Sequence, residues 1–458
     1  MNESMTEPPT RGLRKVYRRI ARNSVLLASG TAAASLFTML AVAIAARALS
    51  PRDFGVLVLL QSAVLMVGSL ASLSTQQPVI KLGSDAYAAK DRNRLGEVVS
   101  MGLIVDTVAA LAAFVVAALA ITLSRSAIGL AEHDVGSAWL LAISLLFSGY
   151  PTSNGIFRLY DRFGMLSLIQ TLSAAGLLCA YAVLYAVGAA LPAYVAAWAS
   201  YLALSSILQI WFSLVLLRRD QVRLRFRKGL FATEDGRTLL HYSWSTWGMS
   251  TAATLRTNGD SLLVGALVSV EAAGIYNVAR QIAGLVRKFN TVYSSSVFPE
   301  IARLGAVGDI AAARRVNRHM LAIGLAGTAA AVLASALFGH LIVRLLFGAR
   351  FEPAYLPFVI LTGAAMVQLV SLTPSMCVQV FRGPRLLFVF YAVASVAFGV
   401  AAIPLTAKWS ISGMAIAQLV FSVALTVMCH LAVTRALSPL VSSPASSAET
   451  PPSSESRP

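Results

Sequence analysis

The residues able to do chemistry in this chain are few, and they lie where water should not reach. Arg256, Arg280, Arg287 and Lys288 sit inside long apolar runs, and so do two acids, Asp106 and Asp260. A cation on a lipid-facing surface at mid-bilayer costs at least ~2.5–3.5 kcal/mol on insertion scales, so such groups must face water, an anion or one another. Structural carboxylates could neutralise them, but two acids cannot balance four cations. The excess predicts a hydrated, cationic cavity inside the protein.

Spacing supports that prediction. Across 272–298 the polar or small residues are Asn277, Arg280, Gln281, Gly284, Arg287, Lys288, Thr291 and Ser295. Intervals of three and four place them on one face of a helix, opposite Ile275, Val278, Ile282, Leu285, Val286 and Phe289. Arg256 and Asp260 are four apart, beside Thr257 and Asn258. They can form an intrahelical ion pair. Alternatively Asp260 takes up a proton and releases Arg256, or helps to bind a cation; these readings are compatible. Asp106 stands alone, as a buried neutral carboxyl or a proton relay.

Catalytic signatures are missing. His133, His241, His319, His340 and His430 are scattered, with no Ser-His-Asp grouping, HExxH, Walker sequence or Gly-rich phosphate loop. Cys179, Cys377 and Cys429 lie in apolar runs without CxxC spacing, and read as buried thiols acting as small hydrophobes. The expectation is a non-enzyme with no metal and no cofactor. Without an ATP site, energy must come from an ion or voltage gradient or from the substrate's own gradient.

The elements that position these groups are apolar stretches close to the roughly 20 residues needed to cross a bilayer. Twelve are visible: 24–46, 54–73, 98–123, 138–150, 165–188, 193–217, 244–268, 272–298, 320–343, 356–373, 386–406 and 412–433. Only 12% of the 458 residues are charged, against roughly 25% in soluble domains. Mean hydropathy is +0.72. The fold class is therefore an all-α polytopic membrane protein. The chain divides into a basic N-terminal segment (1–22), an N-lobe (23–217), a basic linker (218–239), a C-lobe (240–437) and a disordered tail (438–458).

The net charge of +17 has an orientational meaning. With a cytoplasmic N-terminus, most of the 37 basic residues fall in cytoplasmic segments, and the outer loops keep only Arg47, Arg52, Arg125, Arg344, Arg350 and Lys408. This is the positive-inside bias, and it predicts both termini in the cytoplasm and no nucleic-acid partner. The segment RGLRKVYRRIAR should lie against anionic membrane lipid.

The chain also repeats itself. Ser50 to Gly55 follows the first span and Ser269 to Gly274 follows the seventh, each with an acid between, at an offset of 219. The same offset carries Gln61-Ser62 onto Arg280-Gln281, while Pro151 and Phe157-Arg158 match Pro374 and Phe381-Arg382 at 223 and 224. Two six-helix halves follow, related about an axis along the membrane normal, with a substrate path between them. Polar, Pro-containing ends recur at 74–78, 150–154, 293–299 and 371–375. All fall at the cytoplasmic side, where broken backbone can line a vestibule.

Several of these runs together resemble the polysaccharide transporter (Wzx-like) family of the multidrug/oligosaccharidyl-lipid/polysaccharide flippase superfamily. The likeness rests on Ala46 to Gly55 (ARALSPRDFG), Asn258-Gly-Asp260 through Gly274-Ile-Tyr276-Asn277-Val-Ala279, Phe298-Pro299-Glu300, and Phe347-Gly348 with Phe351 and Pro353. It implies two pseudo-symmetric, MATE-like lobes working by alternating access. The implied cargo is an undecaprenyl-diphosphate-linked oligosaccharide, moved across the bacterial inner membrane for exopolysaccharide, O-antigen or capsule synthesis. A H+ or Na+ coupling ion and polymerase or export partners are implied as well. A diphosphate fits Arg256, Arg280, Arg287 and Lys288, since guanidinium contacts phosphate bidentately, and Asn277 and Gln281 lie beside them. Asp260 and Asp106 are the candidates for ion coupling. Peptidoglycan-precursor flippases tend to have two further helices, which ranks that substrate lower. Two other readings stay open, a drug/cation antiporter of the same superfamily and a membrane polysaccharide polymerase or ligase.

Overall fold

The computed structural model describes residues 9–123, 135–147 and 151–434, without the side chains of 9–28 and of some residues between 245 and 299. The start of the N-terminal segment, the 124–134 loop and the 438–458 tail lie outside the described residues. Every regular element among those described is helical. The first eight are α1 (Pro9–Ala48), α2 (Pro51–Ala71), α3 (Gln76–Ala88), α4 (Arg92–Leu123), α5 (Val135–Ser144), α6 (Pro151–Leu159), α7 (Phe163–Ala186) and α8 (Leu191–Arg219). The rest are α9 (Glu234–Leu267), α10 (Val270–Val307), α11 (Ile310–Phe347), α12 (Tyr355–Val370), α13 (Leu372–Phe381) and α14 (Pro384–Thr434).

Local chemistry sets the boundaries. Ser50, Thr233, Ser269 and Asp309 each cap the helix that follows, accepting a backbone N–H two residues into it. Gly308 and Gly348 close α10 and α11 at φ 73° and 96°, where a side chain would be strained. α14 runs for 51 residues, roughly 76 Å at 1.5 Å per residue, too long for one crossing. It is broken at Trp409 and Ser410, the latter at φ 53°, and so supplies two spans.

Among the described residues, nine helical segments are long and apolar enough to cross a membrane. α9 and α10 fall outside that set because their interiors are too polar, and the last of the nine is the doubled α14. These elements account for the twelve expected spans. Two expectations need correction. The backbone does break at Ser72–Thr75 and at Ser371, but α10 continues as helix through Pro299, so the 293–299 stretch is no break. Cys377 and Cys429 are buried as expected, whereas Cys179 is exposed on the bundle surface.

In the first half α1 packs along α7, α7 against α8, and α2 against α4; in the second, α12 packs against α10, α11 and α14. The halves meet where α2 crosses α9 and α10, and where α1 crosses α10. The segment joining them lies on the start of α4, with Arg225 N–H donating to Ser100 Oγ at 2.9 Å.

Candidate functional site

Capping by Ser269 fixes where α10 begins, and hence the depth of its cations. Arg280 and Arg287 lie roughly 15 and 25 Å along its axis, inside the hydrocarbon layer. Both open onto a cavity of about 760 Å³ between the halves. Its first wall comes from Thr31, Ala34, Ser35 and Thr38 of α1, Leu65 of α2, Gln170 of α7, and Tyr201, Ser205 and Gln209 of α8. The second half supplies Thr257 and Asn258 of α9 and Arg280, Gln281, Gly284, Leu285 and Arg287 of α10. Among the described residues, two cations and no acid line this space.

The two arginines are held differently. Arg280 Nη1 donates to Asp260 Oδ1 at 3.0 Å and to the Thr257 carbonyl, while Nη2 donates to Asn277 Oδ1 at 3.1 Å. Asp260 is only 2% exposed. Its other oxygen accepts from Tyr276 Oη at 3.1 Å and from Gln418 Nε2 at 3.3 Å. A fully hydrogen-bonded carboxylate therefore sits behind Arg280 and aims the rest of its guanidinium at the cavity. Arg287 lines the same space and has no hydrogen-bond or ion-pair partner among the described residues.

The remaining predicted residues are distributed around this centre. Gln281 lines the cavity, and Asn277 is buried behind it as the acceptor for Arg280. Arg256 turns toward α14 instead of the cavity wall: its Nη1 donates to Gln418 Oε1 at 2.8 Å and its guanidinium lies 4.0 Å over the Phe421 ring. The expected Arg256–Asp260 ion pair is replaced by Arg280–Asp260. The reason is the helix crossing, which brings three acceptors from α9 and α10 to one guanidinium. The Lys288 side chain lies outside the described residues. Asp106 is remote from the cavity, buried in the first half, accepting Thr75 Oγ1 at 2.6 Å and Thr152 N–H at 3.0 Å.

Several cavity residues were not singled out from the sequence. Thr31, Ser35 and Thr38 on α1 and Tyr201, Ser205 and Gln209 on α8 recur at intervals of three and four, a polar stripe within an apolar run. That periodicity was the available signal.

The polysaccharide biosynthesis protein family matches residues 20–305, more than half of the sequence. The chain belongs to that family. Among curated relatives, it is similar to "Inner membrane protein YghQ" of Escherichia coli (strain K12), 28% identical over 347 residues, 74% of this chain and 95% of the relative. Among solved structures, it superposes on an inward-facing multidrug resistance MATE family transporter of the MOP superfamily with a TM-score of 0.68 at 12% identity, covering 89% of this chain and 95% of the other. The inward closed conformation of the lipid II flippase MurJ gives 0.68 at 11% identity, covering 89% and 87%. At such identities the likeness establishes the fold, which is MATE-like.

In this member of the polysaccharide biosynthesis family, one end of the interface is closed. There the repeat-related turns meet: a Cβ on Gly55 would lie 2.1 Å from Val270 O, and one on Gly274 would lie 3.2 Å from Gly55 Cα. Phe54 packs edge-on against Phe351, ring centroids 5.4 Å apart. Arg47, at the end of α1, donates to the Leu345 and Leu346 carbonyls at the C-terminus of α11. The cavity is thus shut at this end, while a second chamber leads from it toward Ser72 and Ser74, at the end that carries most of the basic residues.

Proposed function

We propose that this protein is a flippase that carries an undecaprenyl-diphosphate-linked oligosaccharide from the cytoplasmic to the periplasmic face of the bacterial inner membrane by alternating access. The observation that carries the reading is the inter-lobe cavity with Arg280 and Arg287 in its wall and no acid among its described lining residues. A diphosphate brings at least two negative charges to such a site, and in a low-dielectric surround their attraction to guanidinium is strong. The basic end is assigned to the cytoplasm by the positive-inside bias, so the closed end faces the periplasm and the described state is open inward. Membership of the polysaccharide biosynthesis family supports the glycan, and the relative named an inner membrane protein supports the location. Coupling to H+ or Na+ would act through Asp260, the carboxylate that holds Arg280. Polymerase or export proteins are the partners that such a substrate requires.

A drug/cation antiporter wants an acidic cavity, and the sign here is opposite. A polymerase or ligase would need an outer platform for sugar chemistry, and among the described residues helices on the closed end are joined by short turns such as Leu49–Ser50 and Val268–Ser269. The test is translocation of labelled lipid-linked oligosaccharide in reconstituted vesicles, read by loss of label exposed on the starting leaflet. Arg287→Gln leaves no buried partner orphaned, so the variant should insert normally and lose at least tenfold in rate. Undiminished translocation would remove the cavity from the mechanism. Asp260→Asn should abolish any dependence on pH or sodium; a retained dependence would take coupling elsewhere.

A further inference from the structure

The cationic cavity is not a single chemical space. A second chamber of about 370 Å³ opens from it through Leu65, Tyr201, Ser205 and Gln209, which line both. Its walls are two faces with the same spacing: 64, 65, 68 and 69 on α2 with 72 just past its end, and 201, 202, 205, 206 and 209 on α8, closed by Ser74. Among the described residues, no charged one lines it. Hydroxyls and one amide do, from Ser69, Ser72, Ser205, Ser206, Tyr201 and Gln209.

From this division we infer that the second chamber is the saccharide subsite, and that it selects uncharged sugars. The inference rests on the flippase reading above and deepens it. Many small hydroxyls and an amide, each both donor and acceptor, match the vicinal hydroxyls of a neutral sugar. The Tyr201 ring adds an apolar face at the junction. A uronic acid or phosphorylated sugar would place its charge in a half-enclosed space whose described lining offers no cation to pair it, at a desolvation cost. The size lies within the roughly 300–1,000 Å³ of small-ligand sites. The chamber lies on the Ser72–Ser74 side and the arginines lie deeper, so the diphosphate leads and the glycan trails toward the basic end.

The test compares three probes on the full-length protein in nanodiscs: undecaprenyl diphosphate without sugar, the same carrier with a neutral oligosaccharide, and the same carrier with a uronic-acid-containing oligosaccharide of equal length. The neutral conjugate should bind about tenfold more tightly than the bare carrier, and the acidic one no more tightly than the bare carrier. The double variant Ser72→Ala/Ser206→Ala, at residues that line this chamber and not the cationic cavity, should lose the tenfold gain and still bind the bare carrier as the wild type does. That retained binding also shows that the variant is folded. Equal binding of bare and neutral carriers, a preference for the acidic conjugate, or an unchanged gain in the variant overturns the subsite. Failure of the bare carrier to bind the wild type overturns the flippase reading and the subsite with it.

Discussion

Among the described residues each half of the molecule buries one aspartate, and the two do opposite things. Asp106 in the first half is satisfied by a hydroxyl and a backbone N–H, with no cation among its described partners. It joins the α2/α3 break at Thr75 to the start of α6 at Thr152. Asp260 in the second half is satisfied by Arg280, Tyr276 and Gln418, and its product is a cation aimed at the cavity. Both are 2% exposed. Burial alone therefore says nothing of role. What separates them is whether the partner carries a charge that something else can use.

The largest expected effect breaks the second arrangement. Arg280→Leu leaves Asp260 buried without its counter-charge, and removal of one member of a buried pair typically costs ~3–5 kcal/mol. Thermal unfolding in detergent should show a clear loss, and Arg280→Leu/Asp260→Asn should recover much of it. A single variant that melts with the wild type would mean that Asp260 is held without the arginine. Asp106→Asn should cost less, ~0.5–1.5 kcal/mol, because the amide can keep Oδ1 on the Thr152 N–H and turn its N–H₂ to Thr75 Oγ1, which accepts. Translocation per folded molecule should survive Asp106→Asn and fail in the Arg280 variants. Equal transport defects would dissolve the distinction.

The repeat-related glycines offer the same comparison at the closed end. An added Cβ meets backbone at 2.1 Å on Gly55 but finds only tight contacts of 3.1 and 3.2 Å on Gly274. Gly55→Ala should thus cost more than Gly274→Ala, within the ~1–3 kcal/mol of overpacking, and should favour separation of α2 from α10. Labelling of a cysteine introduced at Val270 would rise in the first variant more than in the second. The reverse order would show that the two turns part asymmetrically.

Much of this was legible because the bilayer makes errors expensive. Apolar length alone marked the spans, and the 406–412 gap marked the break in α14 at Trp409 and Ser410. Arg280 and Arg287 stood out because nothing cheaper explains a guanidinium at that depth. The partner of Asp260 was not legible: Arg256 is one helical turn away, whereas the pairing was decided by where α10 crosses α9. Nor were the α1 cavity hydroxyls. Ser35 and Thr38 donate to carbonyls four residues back, Thr31 O at 2.6 Å and Ala34 O at 2.8 Å. They hide their polarity inside the helix, so they cost little in an apolar run and leave only a faint periodicity.

The smallest effect comes from the same two residue types placed in water. At the basic end Arg94 donates to Asp235 twice, Nε to Oδ2 at 2.6 Å and Nη2 to Oδ1 at 2.7 Å, with side chains 39% and 23% exposed. The hydrogen bond from Arg94 holds the Asp235 carboxyl below its ordinary value, opposed by partial burial and aided by the arginine's charge. A depressed folded value means that the stabilisation is present above the unfolded pKa, roughly 4. It is lost as pH falls from there through the folded value. Exposure and salt screening keep it within ~0.2–1 kcal/mol, against several for the buried pair. Asp235→Asn should therefore lower the melting temperature slightly at pH 7 and in low salt, with the gap to wild type closing in acid or in 1 M salt. A gap as large as that of Arg280→Leu would mean that burial is not what gives the Asp260 pair its strength.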